Sequence, residues 1–148
     1  MTRYLLDTNV ISDIVKPTPS PLLTAWLADR PDSDLFIASL TMAEIRRGIL
    51  EMPSGRKRDD LETWFFGEDG PVALFAGRIL SFDGDAALVW ARLMAEGRRA
   101  GRPRSALDMI IAAIAQVHDC VVVTANERDF TGLTVINPTR QAPEDRPA

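Results

Sequence analysis

Tyr4-Leu5-Leu6-Asp7-Thr8-Asn9-Val10-Ile11-Ser12 is the stretch from which the fold is read. Tyr4 to Leu6 is a short apolar run of the kind that forms a buried strand. It stops at a carboxylate, Asp7, and the chain then turns polar. Thr8 or Asn9 can cap a helix running through Val10, Ile11 and Ile14. A carboxylate at the C-terminal end of a strand and the start of a helix is a recurrent active-site position in open α/β folds. Function then depends on whether acids later in the chain come to the same point.

Outward from this stretch, strands alternate with helical segments. Lys16-Pro17 ends the first helix, because the residue before proline is pushed away from the helical region. Pro19 and Pro21 precede a second helix with Leu22, Leu23, Trp26 and Leu27 on one face. Leu35-Phe36-Ile37-Ala38 reads as a buried strand, and Thr41 opens a helix with Met42, Ile45 and Ile49 inward. A helix over Lys57 to Phe66, a short one over Val72 to Phe75 and a strand over Arg78 to Phe82 follow. Asp83-Gly84-Asp85 then turns into a helix through Trp90 and Met94, and Gly97 to Pro103 reads as a basic loop. Ser105 to His118 is apolar almost all round, which suits a helix buried between layers. Val121 to Val123 and Leu133 to Ile136 read as strands, separated by a polar connection. The alternation predicts an α/β fold with a parallel sheet and helices on both faces. Residues 1–137 form one domain in this reading, and 138–148, with Pro143 and Pro147, a mobile tail.

Composition narrows the function. The chain has 148 residues, 46% hydrophobic and 26% charged, which fits one globular domain. No apolar run is long enough to span a bilayer, and Met1-Thr2-Arg3 lacks the apolar region of a signal peptide. A single cysteine, Cys120, excludes an internal disulfide and fits a reducing cytoplasm. It precedes three valines and reads as a buried strand thiol. One histidine, His118, cannot build a zinc site without partners. The net charge of -4 argues against coating nucleic acid by charge alone, but not against an enzyme that holds a metal with acids and phosphates with local arginines.

Three acids recur at matching local positions. Asp7 follows a strand; Glu44 lies in Thr41-Met42-Ala43-Glu44, and Asp108 in Ser105-Ala106-Leu107-Asp108. Taken singly, the last two fit the capping spacing of a helix N-terminus, worth about 1 kcal/mol each. Taken together they suggest a cleft of converging carboxylates. Such groups raise each other's pKa unless a cation neutralises them, and an all-oxygen set suits Mg2+ or Mn2+. Gly48, one turn after Glu44, leaves room for a ligand. Thr124-Ala125-Asn126-Glu127-Arg128-Asp129 reads either as a polar loop or as a further contribution of Thr124, Asn126 and Asp129 to the same sheet edge.

These pieces, in order, resemble a PIN-domain ribonuclease, in particular the VapC-type toxins of toxin–antitoxin pairs. The resemblance rests on Leu5 to Ser12, Ala43 to Gly48, Arg78 to Asp83, Leu107 to Ala113 and Thr124 to Phe130. It implies a three-layer α/β/α fold with a short, mostly parallel central sheet, and RNA cleavage dependent on Mg2+ or Mn2+. Asp7, Glu44 and Asp108 match the family's three main acids, with Asp7 and Asp108 holding the metal. The family's fourth acid falls near Asn126, an amide here, and Asp129 is the nearest aspartate. Thr8, Asn9, Thr124 and Asn126 take supporting roles. The resemblance further implies a homodimer and a small cognate antitoxin covering the acidic cleft.

Arg98, Arg99, Arg102 and Arg104 precede the Asp108 segment, and Arg46 and Arg47 follow Glu44. The first group reads either as a solvated basic loop or as contact for RNA phosphates, and the second either as RNA contact or as a pairing surface for acids of a partner. Trp26, Trp64 and Trp90 lie on apolar helical stripes and read as core. Two rival functions remain on the sequence. A non-catalytic binding module is suggested by Asn126. A phosphotransfer site would want a second Asp where Asn9 stands, or, in a receiver, adjacent acids and a late lysine; the only lysines are Lys16 and Lys57.

Overall fold

The computed structural model describes residues 2–140. Five short strands carry the fold: β1 (Arg3–Leu6), β2 (Leu35–Ala38), β3 (Ile79–Leu80), β4 (Cys120–Val123) and β5 (Val135–Ile136). They form one sheet in the order β3-β2-β1-β4-β5, and every pairing is parallel. Strand residues alternate between faces, so Leu5 and Leu6 enter opposite cores. Both faces are covered, which explains why these strands read as continuous apolar runs.

One face packs against α1 (Thr8–Ile14), α2 (Pro21–Ala28), α3 (Ser39–Glu51), α4 (Arg56–Phe66) and α5 (Pro71–Leu74). Its core joins Leu6, Val10, Ile11, Leu23, Ile37, Ile49 and Phe65. The other face packs against α6 (Gly84–Arg99) and α7 (Ala106–Val117). Residues 109 and 111–115 of α7 are all buried, as expected of a helix apolar all round. The three-layer α/β/α architecture expected from the sequence is the one observed. Chain order runs outward from β1 in one direction through β2 and β3, then in the other through β4 and β5. The switch point therefore lies between β1 and β4, where a crevice opens at the strands' C-terminal ends.

Several local expectations change. The first helix is capped by Asp7 itself, whose side chain accepts from the backbone N–H of Thr8. Thr41 does not open α3: the helix starts at Ser39, and Thr41 is fully buried within its first turn. The Thr41–Glu44 spacing is thus a helical i, i+3 pair on one face rather than a capping box. Ser105 does cap α7, accepting from the Asp108 N–H at 3.3 Å.

The basic stretch 97–103 is only partly a loop, because α6 continues through Gly97 to Arg99. The helix then ends in a Schellman turn: Gly101 takes a φ of 71°, its N–H donates to Arg98 O, and Arg102 N–H donates to Gly97 O at 2.9 Å. The strands expected over 78–82 and 133–136 shrink to two residues each, and Arg78 instead ties the sheet edge by donating to Leu35 O at 2.6 Å. Trp26, Trp64 and Trp90 are half-buried rather than core. Pro138 is buried and Arg140 pairs with Glu127 at 2.8 Å, so packed chain continues past 137; the rest of the expected tail, 141–148, lies outside the described residues. Among the described residues, no helix is long and apolar enough to cross a membrane.

Candidate active site

Asp7 stands at the switch point. Its backbone N–H extends the β1–β4 ladder by donating to Val123 O at 2.9 Å, and its side chain is only 5% exposed. Three donors meet the carboxylate. Oδ1 accepts from Thr8 N–H at 2.8 Å, and Oδ2 accepts from Asn9 Nδ2 at 3.0 Å and from Thr124 Oγ1 at 2.9 Å. A carboxylate offers about four acceptor positions, so one is left, on Oδ1. Thr124 is fully buried and also accepts from Asn9 Nδ2 at 3.1 Å and from Asn126 N–H at 3.0 Å. Asn9 closes the ring, accepting from Ala125 N–H at 2.9 Å. The ends of β1 and β4 are thus stitched together around one carboxylate.

Glu44 reaches the same point from α3. Thr8 Oγ1 donates to Glu44 Oε1 at 2.8 Å and stands 3.3 Å from the Thr41 hydroxyl. The i, i+3 offset within α3 puts Thr41 and Glu44 on the face toward α1. Thr41 is the site residue that the sequence does not single out; its signal is that helical offset, which in sequence has the spacing of a cap.

Electrostatics tie in the remaining acids. Burial pushes the Asp7 carboxyl above its usual range; its hydrogen bonds from Thr124, Thr8 and Asn9 oppose this, and the negative Glu44 adds to it. Burial also raises Asp108, opposed by its bond with the Ser105 cap and assisted by the charges of Asp129 and Asp7. The four acids therefore share one field, in the sequence Glu44, Asp7, Asp108, Asp129. Cavities flank it. Thr8 and Glu44 line one of about 310 Å³ that runs between α1, α3 and α4 past Gly48 to Trp64. Ser105 and Asp129 line another of about 530 Å³ on the opposite side. Asp129 and Asn126 are exposed, and the Asn126 backbone rather than its side chain bonds to Thr124.

The donor set is consistent with Mg2+ or Mn2+ of the open kind. Among the described residues no three Asp, Glu, His or Cys side chains stand close enough to enclose an ion by themselves. Mg2+, however, is usually held by one or two carboxylates and keeps several waters. Asp7 has one acceptor position left and a carboxylate that burial penalises. No Lys or Arg pairs with Asp7, Glu44, Asp108 or Asp129 among the described residues.

The arginines divide. Arg46 pairs with Glu62 at 3.0 Å and stacks over Phe66, and Arg47 pairs with Glu51. Arg104 donates to Leu93 O at 2.8 Å with Glu96 at 3.7 Å, anchored on α6. Arg98, Arg99 and Arg102 are exposed.

A doubly wound parallel α/β domain with a buried carboxylate at its switch point and further acids within its field defines the class. Within that class the chain belongs to the PIN domain family, whose model matches residues 4–134. It is similar to the VapC ribonuclease Y4jK of Sinorhizobium fredii, 37% identical over 93% of this chain and 99% of that protein. It is also similar to Toxin FitB of Neisseria gonorrhoeae, 35% identical over 90% of this chain and 96% of that protein. Among solved structures, a chain of FitAB bound to an IR36 DNA fragment superimposes with a TM-score of 0.87 at 34% identity, covering 95% of this chain and 99% of that one.

Proposed function

We propose that the chain is the toxin of a toxin–antitoxin pair and an endoribonuclease that hydrolyses single-stranded RNA with Mg2+ or Mn2+. The observation that carries this reading is the buried Asp7 carboxylate at the switch point, penalised by burial and by Glu44, with no cationic side chain paired to it among the described residues. The relatives named ribonuclease and toxin support the same reading. A small cognate antitoxin, a homodimer and a cytoplasmic location go with it.

Asp7 and Asp108 would hold the cation, which when bound offsets the crowding of carboxylates and polarises the scissile phosphate. Thr8 fixes Glu44 through Oε1, leaving Oε2 to accept a proton from the attacking water. Asn9 and Thr124 hold Asp7 in one rotamer, so the carboxylate does not reorient when substrate enters. Asp129, beside Asp108, assists from the exposed rim, and Asn126 orients water there. Attack by water leaves 5′-phosphate and 3′-hydroxyl ends.

The test is cleavage of single-stranded RNA by purified chain with Mg2+, with EDTA, and by Asp7→Ala, Glu44→Gln and Asp108→Asn. Glu44→Gln keeps an oxygen for Thr8 to bond, so it folds while losing the base, at a cost of about 10²–10⁴-fold in rate. A folded Asp7→Ala chain that cuts at the parent rate refutes the assignment. A parent chain that binds RNA and never cuts it favours the non-catalytic module that Asn126 suggests.

A further inference from the structure

The 530 Å³ cavity beside Asp129 is more basic than the acid site it adjoins. Arg102, Arg104 and Arg128 line it against the single carboxylate of Asp129, together with Ser105 and Gly132. The Schellman turn at the end of α6 builds its wall. That turn brings Arg102 back over Gly97, where a Cβ would stand 2.9 Å from both Arg102 O and Arg104 Cγ. Only glycine lets the 102–104 segment lie this close. Arg104 Nη1 is spent on Leu93 O, while Nη2 faces Gly132, 3.4 Å from where a Cβ would lie. Arg104 therefore spans the cavity floor from α6 to the 128–132 segment. The Arg102 and Arg128 side chains carry no ion pair or hydrogen bond among the described residues, although Arg46, Arg47, Arg92 and Arg140 all pair with acids.

The cavity's position names its occupant. Ser105 caps the helix that carries Asp108, and the Asp129 charge acts on Asp108. A strand lying with one phosphate at the acids meets this cavity with a neighbouring phosphate. The acids repel every phosphate except the one a cation neutralises, in a chain of net charge -4. Planar guanidinium donors match phosphate oxygens, and the N-terminal end of the 12-residue α7 adds a favourable dipole.

Building on the RNA-cleaving reading above, we propose that this cavity is the subsite for a backbone phosphate adjoining the cut, contacted by Arg102 and Arg128. Arg104 is the positioning residue that holds its floor. An acidic segment of a protein partner is the competing occupant; the shared boundary with the acid site favours the RNA strand.

Binding of a fluorescein-labelled single-stranded RNA of about a dozen nucleotides, read by anisotropy in EDTA across a salt series, tests the subsite without requiring cleavage. Arg102→Ala/Arg128→Ala is expected to raise Kd about tenfold or more and to make the log–log salt slope shallower by about 0.7 for each phosphate the protein no longer neutralises. Arg102→Lys/Arg128→Lys keeps the charge and should keep the slope. In cleavage assays with Mg2+ the alanine pair should raise KM and leave kcat within about twofold, since the binding removed is common to ground and transition states. A neutral methylphosphonate linkage next to the cut should weaken parent binding by the same factor and the alanine pair no further. If the double variant does not fold, the single variants carry the same readout. A folded variant with parent Kd and slope overturns the subsite, as does unchanged RNA binding with weakened antitoxin binding. Parent chain that binds RNA with this pattern but does not cut it overturns the nuclease reading and leaves the cavity standing as a site for a backbone phosphate; parent chain that binds no RNA in EDTA and neither binds nor cuts it with Mg2+ overturns both.

Discussion

The same substitution, glycine to alanine, should act with opposite sign at two helical positions of this chain. Gly48 lies in the middle of α3, and a Cβ there meets nothing within 4 Å. Alanine should contribute about 0.8–1 kcal/mol of helix propensity, raising Tm by roughly 2–4 °C for a chain of this size. Gly97 lies in the last turns of α6, and its propensity gain is of the same order. There, however, the new Cβ would overlap Arg102 O at 2.9 Å and the Arg104 stem at 2.9 and 3.1 Å. A backbone oxygen held in a Schellman turn cannot swing aside as a side-chain tip can, and overpacking of this kind costs about 1–3 kcal/mol. Displacing Arg104 also threatens its bond to Leu93 O, about 1.5–3 kcal/mol for a charged donor. The net expectation for Gly97→Ala is a loss of roughly 1–3 kcal/mol. Urea denaturation followed by far-UV circular dichroism reads both variants, and unchanged m-values confirm that stability alone has moved. Gly48→Ala serves as the control that removes the helix-propensity contribution. Two variants shifting in the same direction would refute the close approach of the 102–104 segment to α6.

Three further outcomes follow from Asp7 and its neighbours. Without metal, the folded chain holds the Asp7 proton more tightly than the unfolded chain, because burial raises this carboxyl. Stability should therefore fall as pH rises from the ordinary value of 3.8 through the raised folded value, and Asp7→Asn should flatten that slope in urea titrations with EDTA; coincident slopes refute it. Only the slope is diagnostic, since an Asn amide would face the donors Asn9 Nδ2 and Thr124 Oγ1. Thr124→Val removes a hydroxyl that serves three partners in a fully buried position, at a cost of about 1–3 kcal/mol. It also removes the strongest influence holding the Asp7 pKa down, so the acid limb of the pH–rate profile should move to higher pH, while Thr124→Ser leaves it in place. Finally, Mg2+ at 100 times its Kd should stabilise the parent by about 2.7 kcal/mol and Asp7→Asn by much less; equal thermal shifts would place the cation elsewhere.

The layers and the order of elements are legible in the sequence because continuous apolar strands and an all-round apolar α7 have few alternatives to burial. The carboxylate at the end of β1 is legible for the same reason, since a strand's end is marked where apolar residues stop. Helix starts are less so. Thr41 and Ser105 present the same local spacing to Glu44 and Asp108, yet one is a buried helical residue and the other a true cap. The difference lies in Ser39 and Leu40, which follow β2 without a turn and let α3 begin early. The role of Gly97 is invisible for a similar reason: a glycine beside arginines reads as a loop. Only the return of Arg102 and Arg104 across the helix makes its missing side chain a packing requirement. The two-residue β3 looks longer in sequence because its run continues past Leu80, which pairs with the last residue of β2.

What distinguishes Asp7 from an ordinary buried carboxylate is incomplete compensation. Three donors bond to it, and each lowers its pKa, yet burial still leaves the group raised. An arginine in place of Asn9 or Thr124 would complete the compensation, and the site would then be an ion pair with no further need of a cation. The chain uses neutral donors instead: a backbone N–H, an amide and a hydroxyl. These orient the carboxylate without neutralising it. The charge that remains is crowded by Glu44 on one side and by Asp108 on the other, and the guanidinium groups of Arg102 and Arg128, without an ion pair among the described residues, stand one cavity away, beyond Asp129. Orientation is thus supplied by the fold, while neutralisation is left, in the proposed reading, to a bound cation. That division lets a stable α/β domain keep an unsatisfied carboxylate at the mouth of its sheet.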